Sequence, residues 1–329
     1  MQALWIAVFI LAGTGIGGIL ALFNRRWNAR LIAEEEFDEE ETEGMSKKEK
    51  KELEIRKKEF LEKKEAESKL IHMPFSDVIK ERPGRFILCM ILGALGSVSL
   101  VLQFGVDAST CVLLVYFLIL ILIAMIDFDV QYIPYELNIC IFGLGILSVL
   151  MAPDLPWKEK LLGALYLLIT GIVFAASEFI PIPEKNWFLL VLIQAVMSFV
   201  PGFLFVILAK PDEFIKERLL GMVILSPLFF LLYAVFRAVR NVEALGYGDL
   251  KFLIASGALL GWRYTVAGFF VGAIAGAIIS VALMATKKKK RMEAISFGPY
   301  LCLGMYLSVI FGKQVLGWYL NMVFPPAPY

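Results

Sequence analysis

A single histidine, His72, stands in 329 residues. A Ser-His-Asp site is therefore excluded unless His72 folds back to the membrane from its place beside Met73-Pro74. Cysteine is also scarce. Cys89, Cys111, Cys140 and Cys302 fall inside apolar segments and never form a CxxC pair. That spacing builds no thiolate zinc site, and the four read as small buried hydrophobes. Charge is the third shortage. Only 19% of the residues are charged and 59% are apolar, against about 25% and 45–50% in a soluble domain. An ordinary water-soluble enzyme is excluded. The net charge of +1 points to no nucleic-acid partner, so only the distribution of charge is informative.

What the chain has instead is long apolar runs, each a candidate for a spanning helix of about 20 residues. They are Ala3–Phe23, Phe86–Phe104, Thr110–Ile126, Leu137–Met151, Leu161–Ile180, Trp187–Ala209, Leu219–Val239, Leu250–Leu260, Tyr264–Ala285 and Phe297–Gly312. The fold class that follows is all-α, a polytopic integral membrane helical bundle of about 8–10 transmembrane helices, with the lipid bilayer as its surroundings. The first run is a retained helix rather than a signal peptide. Arg25 and Arg26 follow it instead of preceding it, and no small-residue cleavage site is present.

About half the charge sits between residues 24 and 85, which hold 16 of the 32 Lys+Arg and 17 of the 31 Asp+Glu. An acidic run, Glu34 to Glu43, is followed by alternating Lys and Glu from Lys47 to Lys69. Glu/Lys pairs at helical spacing support a solvated helix. Leu53, Ile55, Phe60 and Leu61 are too few for a heptad seam. The organisation expected is an N-terminal transmembrane helix (1–23), a charged cytoplasmic arm (24–85) and a membrane-embedded domain (86–329). Orientation follows from the basic residues close to membrane ends, Arg25, Arg26, Arg30 and Lys287 to Arg291, which the positive-inside rule puts in the cytoplasm. Both termini are then outside.

Two short polar stretches interrupt the apolar background. One is Ile126-Asp127-Phe128-Asp129-Val130-Gln131-Tyr132-Ile133-Pro134, and the other is Gly246-Tyr247-Gly248-Asp249-Leu250-Lys251. Ionisable groups at a membrane boundary are costly and mark sites, although an acid near a helix start is also favoured by the dipole alone. Asp127 and Asp249 fall on the same, cytoplasmic side under an orientation derived only from Lys and Arg. Two carboxylates brought together share a proton, which suits acid–base work on a peptide bond. Glycines without Cβ atoms at Gly246 and Gly248 let backbone or substrate approach. Asp129 reads as a solvated helix-end acid or a supporting group, and Lys251 as a snorkelling anchor or an electrostatic partner of Asp249.

These two stretches, with the tail Phe297-Gly298-Pro299-Tyr300-Leu301, resemble the type IV prepilin peptidases (prepilin leader peptidases). That family comprises integral-membrane aspartic peptidases of the Gly-x-Gly-Asp class. The resemblance covers about Thr110–Leu137 and Gly246–Leu301, with a fainter echo at Gly17-Gly18 and Asn24-Arg25-Arg26. It implies Asp127 and Asp249 as the catalytic pair, with Gly246, Gly248, Lys251 and Asp129 in support, and neither metal nor cofactor. The substrates it implies are type IV prepilins or pseudopilin precursors, cut behind a short basic leader at the cytoplasmic face of the inner membrane. The acidic run Glu34–Glu43 has the charge sign to attract such a leader.

The chain also departs from that pattern. Many members carry paired CxxC motifs in a zinc-binding domain after the first helix and methylate the new pilin N-terminus, whereas the Lys/Glu arm stands there in this chain. Accompanying N-methyltransferase activity is therefore not expected. The first motif usually has an acid directly after its Pro; here Tyr135-Glu136 follows Pro134. The two aspartates are 122 positions apart, room for four helices between them and for an extra pair within 161–209. Three other readings stay open on the residues alone. An archaeal preflagellin peptidase has related motifs. A presenilin or signal-peptide-peptidase type would bring Tyr-Asp and Pro-Ala-Leu motifs, and neither occurs. A transporter using the same acids would show inverted repeats. Oligomeric state is not encoded in any visible pattern.

Overall fold

The computed structural model describes residues 2–34, 83–176, 187–225, 246–285 and 296–323, with isolated positions within 57–80 and 227–235. Ten helices are found among them: α1 (Gln2–Glu34), α2 (Pro83–Phe104), α3 (Ala108–Val130), α4 (Tyr135–Leu150), α5 (Trp157–Ala176), α6 (Trp187–Leu208), α7 (Glu213–Val223), α8 (Tyr247–Leu260), α9 (Trp262–Ala285) and α10 (Gly298–Val323). No strand occurs among the described residues. Five of the helices contain stretches long and apolar enough to cross a membrane, in α1, α2, α3, α5 and α9, while α4 and the start of α10 form shorter apolar helices. The protein is a polytopic helical bundle of the membrane.

Nine of the apolar runs correspond to helices with differences at their ends, whereas the tenth, Leu219–Val239, is corrected: α7 takes only its start and ends at Val223, with Ile224 as its cap. Helix α1 continues past Phe23 through Arg25, Arg26 and Arg30 to Glu34, so the first part of the charged segment is continuous with the first apolar helix. Most of residues 35–82, including His72, lies outside the described residues; the described positions of the Lys/Glu alternation, from Lys57 to Ser68, are helical, with an exposed i,i+4 pair between Lys58 and Glu62 at 3.9 Å. Helix α7 begins earlier than hydrophobicity alone suggests. Asp212 caps it, its side chain accepting from the Phe214 N–H at 2.9 Å, and Glu213, Lys216, Glu217 and Arg218 then enter the first turns. The reading of all four cysteines as buried is corrected. Cys89 and Cys302 are buried, whereas Cys111 and Cys140 are exposed on the protein surface, where lipid is an apolar partner as good as a core.

The chain divides into two compact units, Met1–Val98 and Ser99–Tyr329. In the first, α1 and α2 meet through small residues. A Cβ on Gly13 would collide with the Gly93 carbonyl, and one on Gly17 with the Cys89 carbonyl. Backbones in lipid gain van der Waals contact by such close approach, because no hydrophobic drive separates helix from solvent there.

The second unit uses the same device more widely. Helices α9 and α10 pack along Gly268, Gly272 and Gly304, and α7 meets α8 where Gly221 and Gly257 face each other's backbone. Helix α8 packs chiefly against α4 and α7, and α10 against α9 and α3. Its nine residues from Phe252 to Leu260 are all buried, which explains how a helix of 14 residues can be continuously apolar without spanning alone. A hydrogen bond of 3.0 Å from the Tyr116 hydroxyl to Ser256 Oγ ties α3 to α8 in the core. Tyr116 lies about three turns from Asp127 and Ser256 about two turns from Asp249.

Candidate active site

Asp127 occupies the last turn of α3 because the helix is forced to stop there. Gln131 adopts a left-handed conformation (φ 54°) and its N–H bonds back to the Asp127 carbonyl at 2.9 Å. Pro134, extended, then starts α4. Asp249 lies in the first turn of α8, at the third helical position after the Gly246 cap. The Gly246 backbone N–H bonds back to its carboxylate, as the acidic member of a capping box does. Gly298 opens α10. One helix end and two helix starts therefore converge.

The link between them is specific. The Gly298 N–H donates to Asp127 Oδ2 at 2.8 Å. A helix start has unsatisfied N–H groups and a partial positive charge, so it is a natural seat for a carboxylate. Gly298 must lack a side chain, since a Cβ there would lie 2.6 Å from Asp127 Oδ2. Asp127 and Asp249 are within electrostatic range of each other. Both are withdrawn from the surface, at 5% and 8% exposure. Polar groups are rarely buried at such depth without a role or a partner.

The remaining sequence candidates are placed as follows. Gly248 allows the first turn of α8 to approach the α3–α4 connection, where its Cβ would stand 3.2 Å from that of Ile133. Gly246 is exposed and supplies backbone alone. Asp129 is half-buried, and Phe128 between the two acids points outward at 65% exposure. Lys251 is half-buried with its Nζ 5.0 Å from the centre of the Tyr135 ring, a cation–π distance. Tyr135 takes the position where the resembling family has an acid. Pro299 is the second residue of α10 and does not kink it. A proline in the first turn costs no helical hydrogen bond.

Two neighbours carried no signal in the sequence. The Gly298 N–H is a backbone group, and only the Gly-Pro pair at the helix start hints at it. Cys302, one turn further along α10, is buried near both carboxylates. Its apolar flanks conceal that position.

Residues 165–281 match the type IV leader peptidase family. The matched segment includes Gly246 to Asp249 and ends short of Gly298; Asp127 precedes it. The likeness is to type IV leader peptidases. Among curated relatives, a prepilin leader peptidase/N-methyltransferase of Aeromonas salmonicida (strain A449) is 33% identical over 92 residues, 28% of this chain and 32% of the relative. Its namesake in Legionella pneumophila is 37% identical over 77 residues, 23% of this chain and 27% of the relative. Another of that name, in Pseudomonas aeruginosa, is 29% identical over 117 residues, 36% of this chain and 39% of the relative. The chain thus spans about a third of the length of these relatives. No solved structure matches it. The resemblance to prepilin peptidases read from the motifs is borne out by these matches.

Proposed function

We propose that the protein is an intramembrane aspartic endopeptidase that removes the basic leader from type IV prepilins or pilin-like precursors at the cytoplasmic face of the inner membrane. Asp127 and Asp249 are its catalytic pair. The observation that carries the reading is the convergence of two buried carboxylates, from the end of α3 and the start of α8, within electrostatic range of each other. The match to leader peptidases over residues 165–281 supplies the substrate class. The activity proposed is the peptidase alone, because the Lys/Glu segment stands where the resembling family keeps its paired CxxC motifs.

In this mechanism the pair holds one proton. The ionised member takes a proton from a water molecule, whose oxygen attacks the scissile carbonyl carbon. The protonated member donates to the carbonyl oxygen, and collapse of the tetrahedral intermediate passes a proton to the leaving amine. The Gly298 and Gly246 N–H groups hold the two carboxylates in place. Neither donor costs a side-chain rearrangement during the reaction. A substrate helix in lipid must unwind before any carboxylate reaches its backbone, and unwinding is easiest at the helix–cytosol boundary, where freed backbone groups meet water.

The test is cleavage of a pilin-like precursor by membranes carrying the parent chain, Asp127→Asn or Asp249→Asn. The parent is expected to release the leader and both variants to be inactive at equal protein level. A variant that cuts as fast as the parent would remove the catalytic pair.

A further inference from the structure

Helices α4, α5 and α8 enclose a cavity of about 230 Å³. Phe174 and Ile254 form part of its buried wall, whereas Tyr135, Leu168 and Ile172 on its rim are exposed. Lys251 carries the only charge among the lining residues. The cavity starts where α4 and α8 start and α5 ends, at Tyr135, Lys251 and Ala175. It reaches seven positions along α4 and along α5, to Phe142 and Leu168, a depth of about 10 Å. That depth fits within one leaflet of a hydrocarbon core about 30 Å thick. The cavity is separate from the proposed dyad. Lys251 stands two positions past Asp249, about 200° round α8, and neither aspartate nor Glu136 lines the space. It is therefore a groove with apolar walls and a rim exposed at lipid depth, basic at the end on the aspartates' side of the membrane.

We infer that this groove binds an anionic phospholipid of the leaflet on the aspartates' side, with one acyl chain along the apolar walls and the phosphate at Lys251. The inference stands apart from the peptidase reading. The walls select the chain. Isoleucine, leucine and phenylalanine side chains give an acyl chain many dispersion contacts. They give an unwound peptide no partners for the N–H and C=O groups that must be bonded in lipid, so a peptide is the poorer occupant. The charge selects the head. A lysine ammonium beside apolar walls is costly without a counter-charge, and its stem lets the charge reach headgroup level. A phosphate supplies the opposite charge and acceptor oxygens to that point charge. Lys251 Nζ lies 5.0 Å from the centre of the Tyr135 ring, which keeps the ammonium at the mouth of the groove. A tyrosine there occupies the interfacial level that its amphipathic ring favours. The depth selects the source. A lipid fills both the basic mouth and the apolar length, whereas a free phosphate would use the mouth alone.

The experiment uses the full chain in phosphatidylcholine vesicles that contain a trace of phosphatidylglycerol with a photoreactive group on one acyl chain. After illumination, peptide mapping is expected to find the label concentrated on the groove, at Leu168 and Ile172, and sparse on the exposed Ile274 and Ile278 of α9. Unlabelled phosphatidylglycerol is expected to displace that label about fivefold more effectively than phosphatidylethanolamine, the factor one lysine contributes at an anionic surface. In Lys251→Gln the preference is expected to fall within twofold while the label stays in the groove. In Ile172→Trp, which fills the rim from α5, groove labelling is expected to drop at least tenfold. Label spread evenly over the groove and α9 overturns the inference, since that marks only the lipid surrounding any membrane helix. Equal displacement by the two lipids overturns it, as does an unchanged preference in Lys251→Gln or undiminished labelling in Ile172→Trp. Displacement by glycerol phosphate as effective as by phosphatidylglycerol also overturns it, since that marks an anion site without a lipid. If a variant does not accumulate, the label map and the competition in the parent chain decide the question by themselves.

Discussion

The α1–α2 seam and the meeting point of α3, α8 and α10 are built with the same residue and serve different ends. At the seam, Gly13, Gly17 and Gly93 bring backbone against backbone, and the groups that meet are carbonyls and Cα atoms. At the meeting point, Gly298 brings a helix start against a carboxylate, and Gly248 brings α8 against the connection that follows Asp127. Close approach alone yields packing. Close approach at helix ends, where N–H groups lack partners, yields a place for buried charge.

Glycine substitutions separate the two uses. Gly298→Ala should cost the most activity, since a Cβ pressed on Asp127 displaces the carboxylate, and a misplacement of about 1 Å can cost on the order of a hundredfold in rate. Gly17→Leu should instead act on stability, by about 1–3 kcal/mol for overpacking, with cleavage per folded molecule near parental. Initial rates beside thermal melts of both variants check the contrast. If Gly17→Leu lost as much specific activity as Gly298→Ala, the distinction between the regions would disappear.

The pH–rate profile sharpens the same comparison. A pair sharing one proton has no base when both carboxyls are protonated and no acid when both are ionised. Cleavage should therefore fall on both sides of an optimum, by about tenfold per pH unit beyond each limb, with apparent constants that belong to the pair. Gly17→Leu should leave the position of the optimum unchanged, and Gly298→Ala should move it, because it disturbs a hydrogen bond to one member. A single-limbed profile in the parent would argue against a shared proton. The smallest effect belongs to Tyr116→Phe. It removes one buried hydroxyl bond to Ser256, about 1 kcal/mol, and should lower the melting temperature slightly with activity retained.

Much of this arrangement was legible in the residues. Nine of the ten apolar runs became helices because a chain with few charges in lipid must satisfy its backbone internally. The two acids stood out because little else in those runs is ionisable. Helix ends were less legible, since hydrophobicity does not see caps. Asp212 begins α7 among polar residues, and α1 carries on through its arginines to Glu34. The site's other parts were hidden for a related reason. The Gly298 N–H has no side-chain signature, and Cys302 passes as one more hydrophobe. The role of the charged segment and of the helices within 161–209 is written in no motif of comparable sharpness.

The central claim is that Asp127 and Asp249 act as one unit. Its most direct measurement is the rate of precursor cleavage by Asp127→Asn, Asp249→Asn and the double variant at equal protein level. Residues that act together are non-additive, so the account predicts the same residual rate from all three. A double variant whose loss is the product of two partial single losses would contradict it.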